Sequence, residues 1–262
     1  MVYAYLRLLE NAAMTREEIL NIKSLSKRSE RKVRKRFVAE GVKNIDELAS
    51  SPIDVERIYY TEGMEEHLPE QLSEISSAIS SKSMERISQL KTPPGILAVA
   101  EIPQNAARSI LENLHQSDFP FALVADGIQD PGNLGTLIRT ADWFGVRAVL
   151  VTENTTDPWS SKCVQASMGS IFKVPVLQWT DETDEASGEL KHFAMDLDGE
   201  SVYTTNWEPG LLWIGSESHG LQKAQELKHH KITIPRSGRA ESLNAGVAGS
   251  IVCAEVSRSF KR

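Results

Sequence analysis

Three stretches of this chain concentrate residue types that can do chemistry. The first is DGIQDPGNLGTLIRTADWFG, residues 126–145, which gathers a Pro, several glycines, Asn133 and Arg139 around one predicted strand-to-helix junction. The second is IGSESHGL, residues 214–221, and the third is IPRSGRAESLNAG, residues 234–246. Gly-rich turns before a helix often hold an anion or a nucleotide. The first stretch spells neither the dinucleotide fingerprint G-x-G-x-x-G nor the phosphate loop ending in Gly-Lys-Ser/Thr. Taken singly, each stretch has a bland reading. Gly132 and Gly135 serve as turn glycines, Asn133 and Ser242 as helix N-caps, and Glu217 and His219 as solvated loop residues. Asn244 is harder to dismiss, because Ala245, Gly246 and Ala248 beside it are small, which implies a close approach to that helix. Position joins the three: each follows an expected strand and precedes a helix, so in a parallel sheet all lie at one edge, where ligands collect.

The elements that must position these loops follow from periodicity. From 119 to 262, apolar runs such as FALVADGI, VRAVLVT, VPVLQW, KHFAMDL, GLLWIGSES and KITIP read as strands. Between them, NLGTLIRTADWFG, SSKCVQASMGSIF, LQKAQELKHH and SLNAGVAGSIVCAEVSRSF read as helices. Strands apolar on both faces imply a mostly parallel sheet covered by helices. Residues 15–100 read as a smaller α/β domain. There TREEILNIKSL is a helix capped by Thr15 with Glu18 closing a capping box, RFVAEG, VERIYYTE and GILAVAEI are strands, and VKNIDELASS, EEHLPEQLSEISSA and SKSMERISQL are helical. Residues 101–118 read as a linker.

Composition bounds the function. The 262 residues are 40% hydrophobic and 25% charged, as in a soluble globular protein. No apolar run reaches the roughly 18 residues of a membrane span, so no membrane partner is expected. The opening MVYAYLRLLENAA is too short for a signal peptide, and Met14 offers a second start that leaves residues 1–13 outside the fold. Cys163 and Cys253 lack metal-site spacing and read as small buried hydrophobes in a reduced, cytoplasmic setting; no metal is expected. The net charge of −7 argues on average against nucleic acid. Yet KSLSKRSERKVRKR, residues 23–36, is densely basic, and Lys27, Arg28, Arg31, Lys32, Lys35 and Arg36 are its candidate contacts to a polyanion.

The combination of NLGTLIR, IGSESHGL and IPRSGRAESLNAGVAGSI resembles the three motifs of the TrmH-like RNA ribose 2'-O-methyltransferases of the SPOUT superfamily, over residues 119–262. Residues 23–100 resemble, more softly, the ribosomal-protein-like RNA-binding domain that often precedes that catalytic domain. The resemblance implies a carboxyl-terminal trefoil knot, bent S-adenosylmethionine against the knotted loops, and a homodimer with the active site near the subunit interface. Carried over by motif position, Asn133, Arg139, Glu217, Ser242 and Asn244 fall on catalytic or near-catalytic positions, and Gly215, Ile234 and Leu243 on cofactor-binding ones. In-line methyl transfer asks the protein chiefly to align oxygen, carbon and sulfur. An Arg stays charged in proteins, so Arg139 is read as holding the adjoining phosphate and stabilising developing alkoxide charge. Asn133 and Asn244 would position the ribose or the loops, and Glu217 would orient Arg139 or loop amides. Arg236, Ala245 and Gln165 depart from common family residues, and Gln165 puts RNA contact at that helix in doubt. The implied substrate is structured RNA, ribosomal first and transfer RNA second. The rival readings are a Rossmann-type dehydrogenase, disfavoured by the glycine spacing, and a non-catalytic RNA-binding protein on the same fold, disfavoured by five intact polar positions.

Overall fold

Thr15 starts the first helix as its spacing predicts. Its hydroxyl accepts the Glu18 N–H (3.1 Å), and the Glu18 carboxylate accepts the Thr15 N–H (2.7 Å), so two otherwise orphaned donors are satisfied reciprocally. The structure, a computed structural model, describes residues 14–217 and 219–260; the reading of residues 1–13 as an extension lies outside them. The chain divides into two compact units.

The first unit runs to Pro103 and also takes in Trp159–Phe172. Its helices are α1 (Arg16–Ser24), α2 (Arg28–Arg34), α3 (Val42–Ala49), α4 (Ser81–Ile87) and α7 (Ser161–Ser167). Its four-stranded sheet has the order β1 (Arg36–Glu40), β4 (Ile96–Glu101), β2 (Val55–Tyr60), β3 (Ser76–Ala78). Residues 65–78, expected to be helical, instead form two 3-10 turns, Glu65–His67 and Glu70–Ile75, and then β3. Pro69 is the cause: it forces Leu68 into extended backbone (φ −82°, ψ 121°) and donates no hydrogen bond. Phe37 of β1 is fully buried, its ring 4.7 Å from that of Trp159 and 5.9 Å from that of Phe172. Gln165 on α7 donates its Nε2–H to the Glu40 carbonyl (2.7 Å). The non-basic residue at that position therefore serves as an internal tie.

In the second unit, six strands line up as β10 (His230–Thr233), β8 (Lys191–Ser201), β9 (Gly210–Gly215), β5 (Phe121–Asp126), β6 (Val149–Val151), β7 (Val176–Gln178). Every neighbouring pair is parallel, as the doubly apolar strands require. All six residues of β5 are buried. Ala122 and Val124 face a core with Leu150, Leu211 and Trp213, while Phe121 on the other face meets the rings of Phe193, Trp207 and Phe260. The helices are α5 (Ala107–Glu112), α6 (Pro131–Phe144), α8 (Asp181–Ala186) and α9 (Ala245–Phe260). The segment 101–118, read as a linker, carries Leu111 and Leu114, both buried in this unit's core. Residues 221–230 are not the expected helix but a 3-10 turn, Lys223–Glu226. Cys163 and Cys253 are buried and unbridged, as expected of small hydrophobes, and burial pushes the Cys253 thiol up to about 12. Among the described residues, no helix is long and apolar enough to cross a membrane.

Two glycines govern how α9 meets α6. A Cβ on Gly249 would lie 2.3 Å from Leu137 Cδ2, and one on Gly246 would lie 3.0 Å from Thr136 Cγ2. The Thr140 and Ser250 hydroxyls meet at 2.8 Å across the same contact. The close approach implied by the small residues around Asn244 is therefore the approach of α6.

Candidate active site

Parallel strands put the loops after β5, β9 and β10 on one edge, and hydrogen bonds tie these loops together. Asp130, not Asn133, caps α6: its carboxylate accepts the Asn133 N–H (2.9 Å), with Pro131 in the first turn. Asn133 is thereby free to use its amide group between loops. Asn244 Nδ2 donates to Asn133 Oδ1 (2.7 Å), and Asn133 Nδ2 donates to Glu217 Oε1 (3.1 Å). The same Glu217 oxygen accepts the Ala245 N–H at 3.0 Å, and Asn244 Oδ1 accepts the Val247 N–H at 3.2 Å. A carboxylate and an amide oxygen thus satisfy open donors at the start of α9, where the helix dipole favours negative charge.

A cavity of about 700 Å³ opens beside this network. Gly215, Ile234 and Leu243, the three expected cofactor positions, all line it, together with Glu217, Ser242 and His219. Gly215 has no room for a side chain: a Cβ would lie 2.4 Å from the Gly220 carbonyl carbon and 2.7 Å from the Leu221 nitrogen. Ser216 and Gly220 bridge the loop across its base (3.0 and 2.9 Å). Met195, Asp196 and Leu197 also line the cavity; they lie within the expected strand KHFAMDL, but nothing in its apolar pattern marks them as site residues, and β8 continues past that strand to Ser201. There Asp196 pairs with Lys231 (2.7 Å), which holds the Asp196 carboxyl below its ordinary range.

Asn133, Asn244 and Arg139 do not line the cavity. Arg139 follows Asn133 by six residues on α6, about 9 Å further along the axis. Its side chain is exposed, and among the described residues no hydrogen bond or ion pair engages it. The expectation that Glu217 orients Arg139 is not met; its alternative, that Glu217 holds loop amides, describes the contact with Ala245.

The candidate RNA contacts of the first unit separate into two groups. Arg31 is buried (4% exposed), and its Nη1 donates to the Leu25 carbonyl at 2.5 Å. Arg36 is clamped between Glu56 and Glu101, both at 2.7 Å. Neither is available to a phosphate, because charge density along the chain does not reveal which cations the fold uses internally. Lys27, Arg28, Lys32 and Lys35 are exposed.

A parallel α/β sheet, three strand-end loops knit through Asn133, Glu217 and Asn244, and a nucleotide-sized cavity define a ligand-binding enzyme fold. The chain belongs to the SpoU rRNA Methylase family, whose family model matches residues 120–254. An MRM3-like substrate binding domain matches residues 16–98. Bacillus subtilis 23S rRNA (guanosine(2553)-2'-O)-methyltransferase RlmP is 29% identical over 90% of this chain and 94% of its own. A TrmH-family chain from Porphyromonas gingivalis is 30% identical, with a TM-score of 0.76 over 94% of this chain and 99% of that one. The AdoMet-bound rRNA methyltransferase from Sinorhizobium meliloti is 26% identical, with a TM-score of 0.83 over 95% and 97%.

Proposed function

We propose that this chain is a methyltransferase that uses S-adenosylmethionine to methylate a ribose 2'-hydroxyl in ribosomal RNA. The observation that carries the reading is the Asn133–Glu217–Asn244 network set against the cavity that holds Gly215, Ile234 and Leu243. The cavity fits the cofactor: about 700 Å³ lies within the roughly 300–1,000 Å³ of small-molecule sites. Ile234 and Leu243 offer apolar contact to a base, and the crowded main chain at Gly215 and Gly220 offers polar groups. Bound there, S-adenosylmethionine supplies an electrophilic methyl group. The chain's own residues do the rest. Asn133 and Asn244 fix the ribose side of the site, Glu217 locks the cavity loop to the start of α9, and Ser242 borders the cavity where the hydroxyl must arrive. Arg139 binds the neighbouring phosphate and stabilises charge on the 2'-oxygen as its proton leaves.

Residues 15–100 act as the RNA-binding domain and the chain from 119 onward carries the catalytic site, a reading the two family matches support. The segment 101–118 joins them but is no bare linker, since Leu111 and Leu114 pack into the second unit's core. The carboxyl-terminal segment after β10 forms the trefoil knot, and the protein works in the cytoplasm as a homodimer. Trp143 on α6 and Val247 on α9, 81% and 47% exposed, support the subunit contact, since two such apolar side chains on packed helices favour burial.

Calorimetry with S-adenosylmethionine and NAD tests the cofactor, and binding of NAD alone would overturn the reading. Mapping 2'-O-methyl groups in RNA from a deletion strain and its parent tests the substrate. Loss of a site in ribosomal RNA is expected; loss in transfer RNA alone would move the activity to that substrate.

A further inference from the structure

Asp126, a residue only 1% exposed, ends β5, and none of the roles above uses it. Its Oδ2 accepts the main-chain N–H groups of Gln222 (2.7 Å) and Ala224 (3.2 Å), and its Oδ1 accepts the Thr152 hydroxyl (3.2 Å). These donors come from the loop after β9 and the loop after β6, so one side chain joins three strand ends. Gln222 is gripped a second time, its Oε1 accepting from Asn154 Nδ2 at 3.0 Å. Between β9 and Gln222 lies only the bridged loop 216–221, which supplies Ser216, Glu217, His219, Gly220 and Leu221 to the cavity wall. Its other anchor is Glu217, bonded to Asn133 and Ala245.

Gly220 and Leu221 sit between the Asp126 contact at Gln222 and the Ser216–Gly220 bridge, so both contacts set their placement. Fixing Gln222 and Ala224 therefore sets how closely residues 220–221 lie on Gly215 and how the cavity wall is shaped. An aspartate suits the task, because a carboxylate only accepts, and three donors converge on it in a buried site.

We infer that Asp126 is a positioning residue for the methyl donor: by clamping the amides of Gln222 and Ala224 it holds loop 215–221 in the shape that binds S-adenosylmethionine, touching neither the donor nor the RNA. The inference rests on the reading of the cavity as the cofactor site. The test compares the full chain with Asp126→Ala and Asp126→Asn at a temperature where circular dichroism shows all three folded. It reads S-adenosylmethionine affinity by calorimetry, RNA affinity by filter binding, and hydrogen exchange at the amides of Gln222 and Ala224. For Asp126→Ala the cofactor Kd should rise about tenfold or more, with faster exchange at both amides and RNA affinity unchanged within about twofold. Asp126→Asn should recover most of the affinity, since its amide oxygen can accept both N–H groups while its nitrogen donates to the Thr152 hydroxyl. If Asp126→Ala does not fold, Asp126→Ser, whose hydroxyl is too short to reach both amides, carries the same expectation. Wild-type cofactor affinity in a folded Ala or Ser variant overturns the inference, as does an equal loss of cofactor and RNA affinity. A wild-type chain that binds no S-adenosylmethionine overturns the functional reading instead.

Discussion

Arg139 stands exposed on α6 while Asn133, Glu217 and Asn244 hold one another. A guanidinium without a partner among the described residues is available to a phosphate, so Arg139→Ala should abolish methyl transfer and leave the S-adenosylmethionine Kd within a few fold. Arg139→Lys should also fail, because an ammonium lacks the planar fork. Single-turnover assays and calorimetry measure the two quantities; an alanine variant that loses cofactor and keeps turnover would reverse the assignment. A second residue links chemistry to pH. Trp213 Nε1 donates to His192 Nδ1 (3.2 Å), which requires an unprotonated Nδ1, and burial lowers the pKa of His192. The unfolded chain takes up that proton near pH 6.5 and the folded chain only at lower pH. The contribution to stability is therefore present above about pH 6.5 and is lost as pH falls through the lowered folded value. Denaturant titrations from pH 7 to 5 should show this decline, and His192→Leu should flatten it.

At the scale of elements, backbone crowding decides more than side-chain identity. Gly215→Ala would drive a Cβ into the main chain of Gly220 and Leu221, and main chain does not yield as a side-chain tip does. The variant should lose cofactor binding by more than tenfold, measured by calorimetry, with RNA affinity kept. Trp143→Glu on α6 tests the proposed homodimer: the wild-type chain should sediment as a dimer and the variant as a monomer, since a charge replaces the most exposed tryptophan. Elements built from local signals were legible in the sequence: the Thr15–Glu18 capping box, the six-residue apolar strand β5 and the three loops on a parallel edge all stand as expected. What failed was non-local. Residues 221–230 have helical periodicity, yet they make only the 3-10 turn Lys223–Glu226 before Leu227 turns extended (φ −110°, ψ 153°) on the way to β10, and Asp126, 96 residues earlier, fixes the Gln222 amide at its start. The loops could be placed at one edge, yet no spacing rule says that Asn133 would bond both Glu217 and Asn244.

For the whole molecule, the acidic chain must still meet RNA. Arg31 and Arg36 are engaged within the first unit, which leaves Lys27, Arg28, Lys32 and Lys35 exposed, three of them lysines. Changing these three to Ser should weaken RNA binding and flatten the slope of log K against log salt by about 2, at about 0.7 for each single-stranded phosphate contact. Cofactor affinity should not move. Arg31→Ser should instead lower the melting temperature, because it empties a buried site and leaves the Leu25 carbonyl unpaired. A salt titration of both variants separates surface from scaffold, and an unaltered slope for the lysine variant would send the search for the RNA platform to the second unit.

The membership of Trp159–Phe172 in the first unit also has a consequence for synthesis. As the chain leaves the ribosome, the four-stranded sheet is complete by Glu101, but the rings that cover Phe37 belong to Trp159 and Phe172. The amino-terminal unit must therefore wait with an uncovered aromatic while the next seventy or so residues are made at roughly 5–20 residues per second. A fragment cut after Pro103 would keep that bare surface permanently. It should aggregate where the intact chain does not, so the substrate-binding half is not a module that can be lifted out at its apparent boundary.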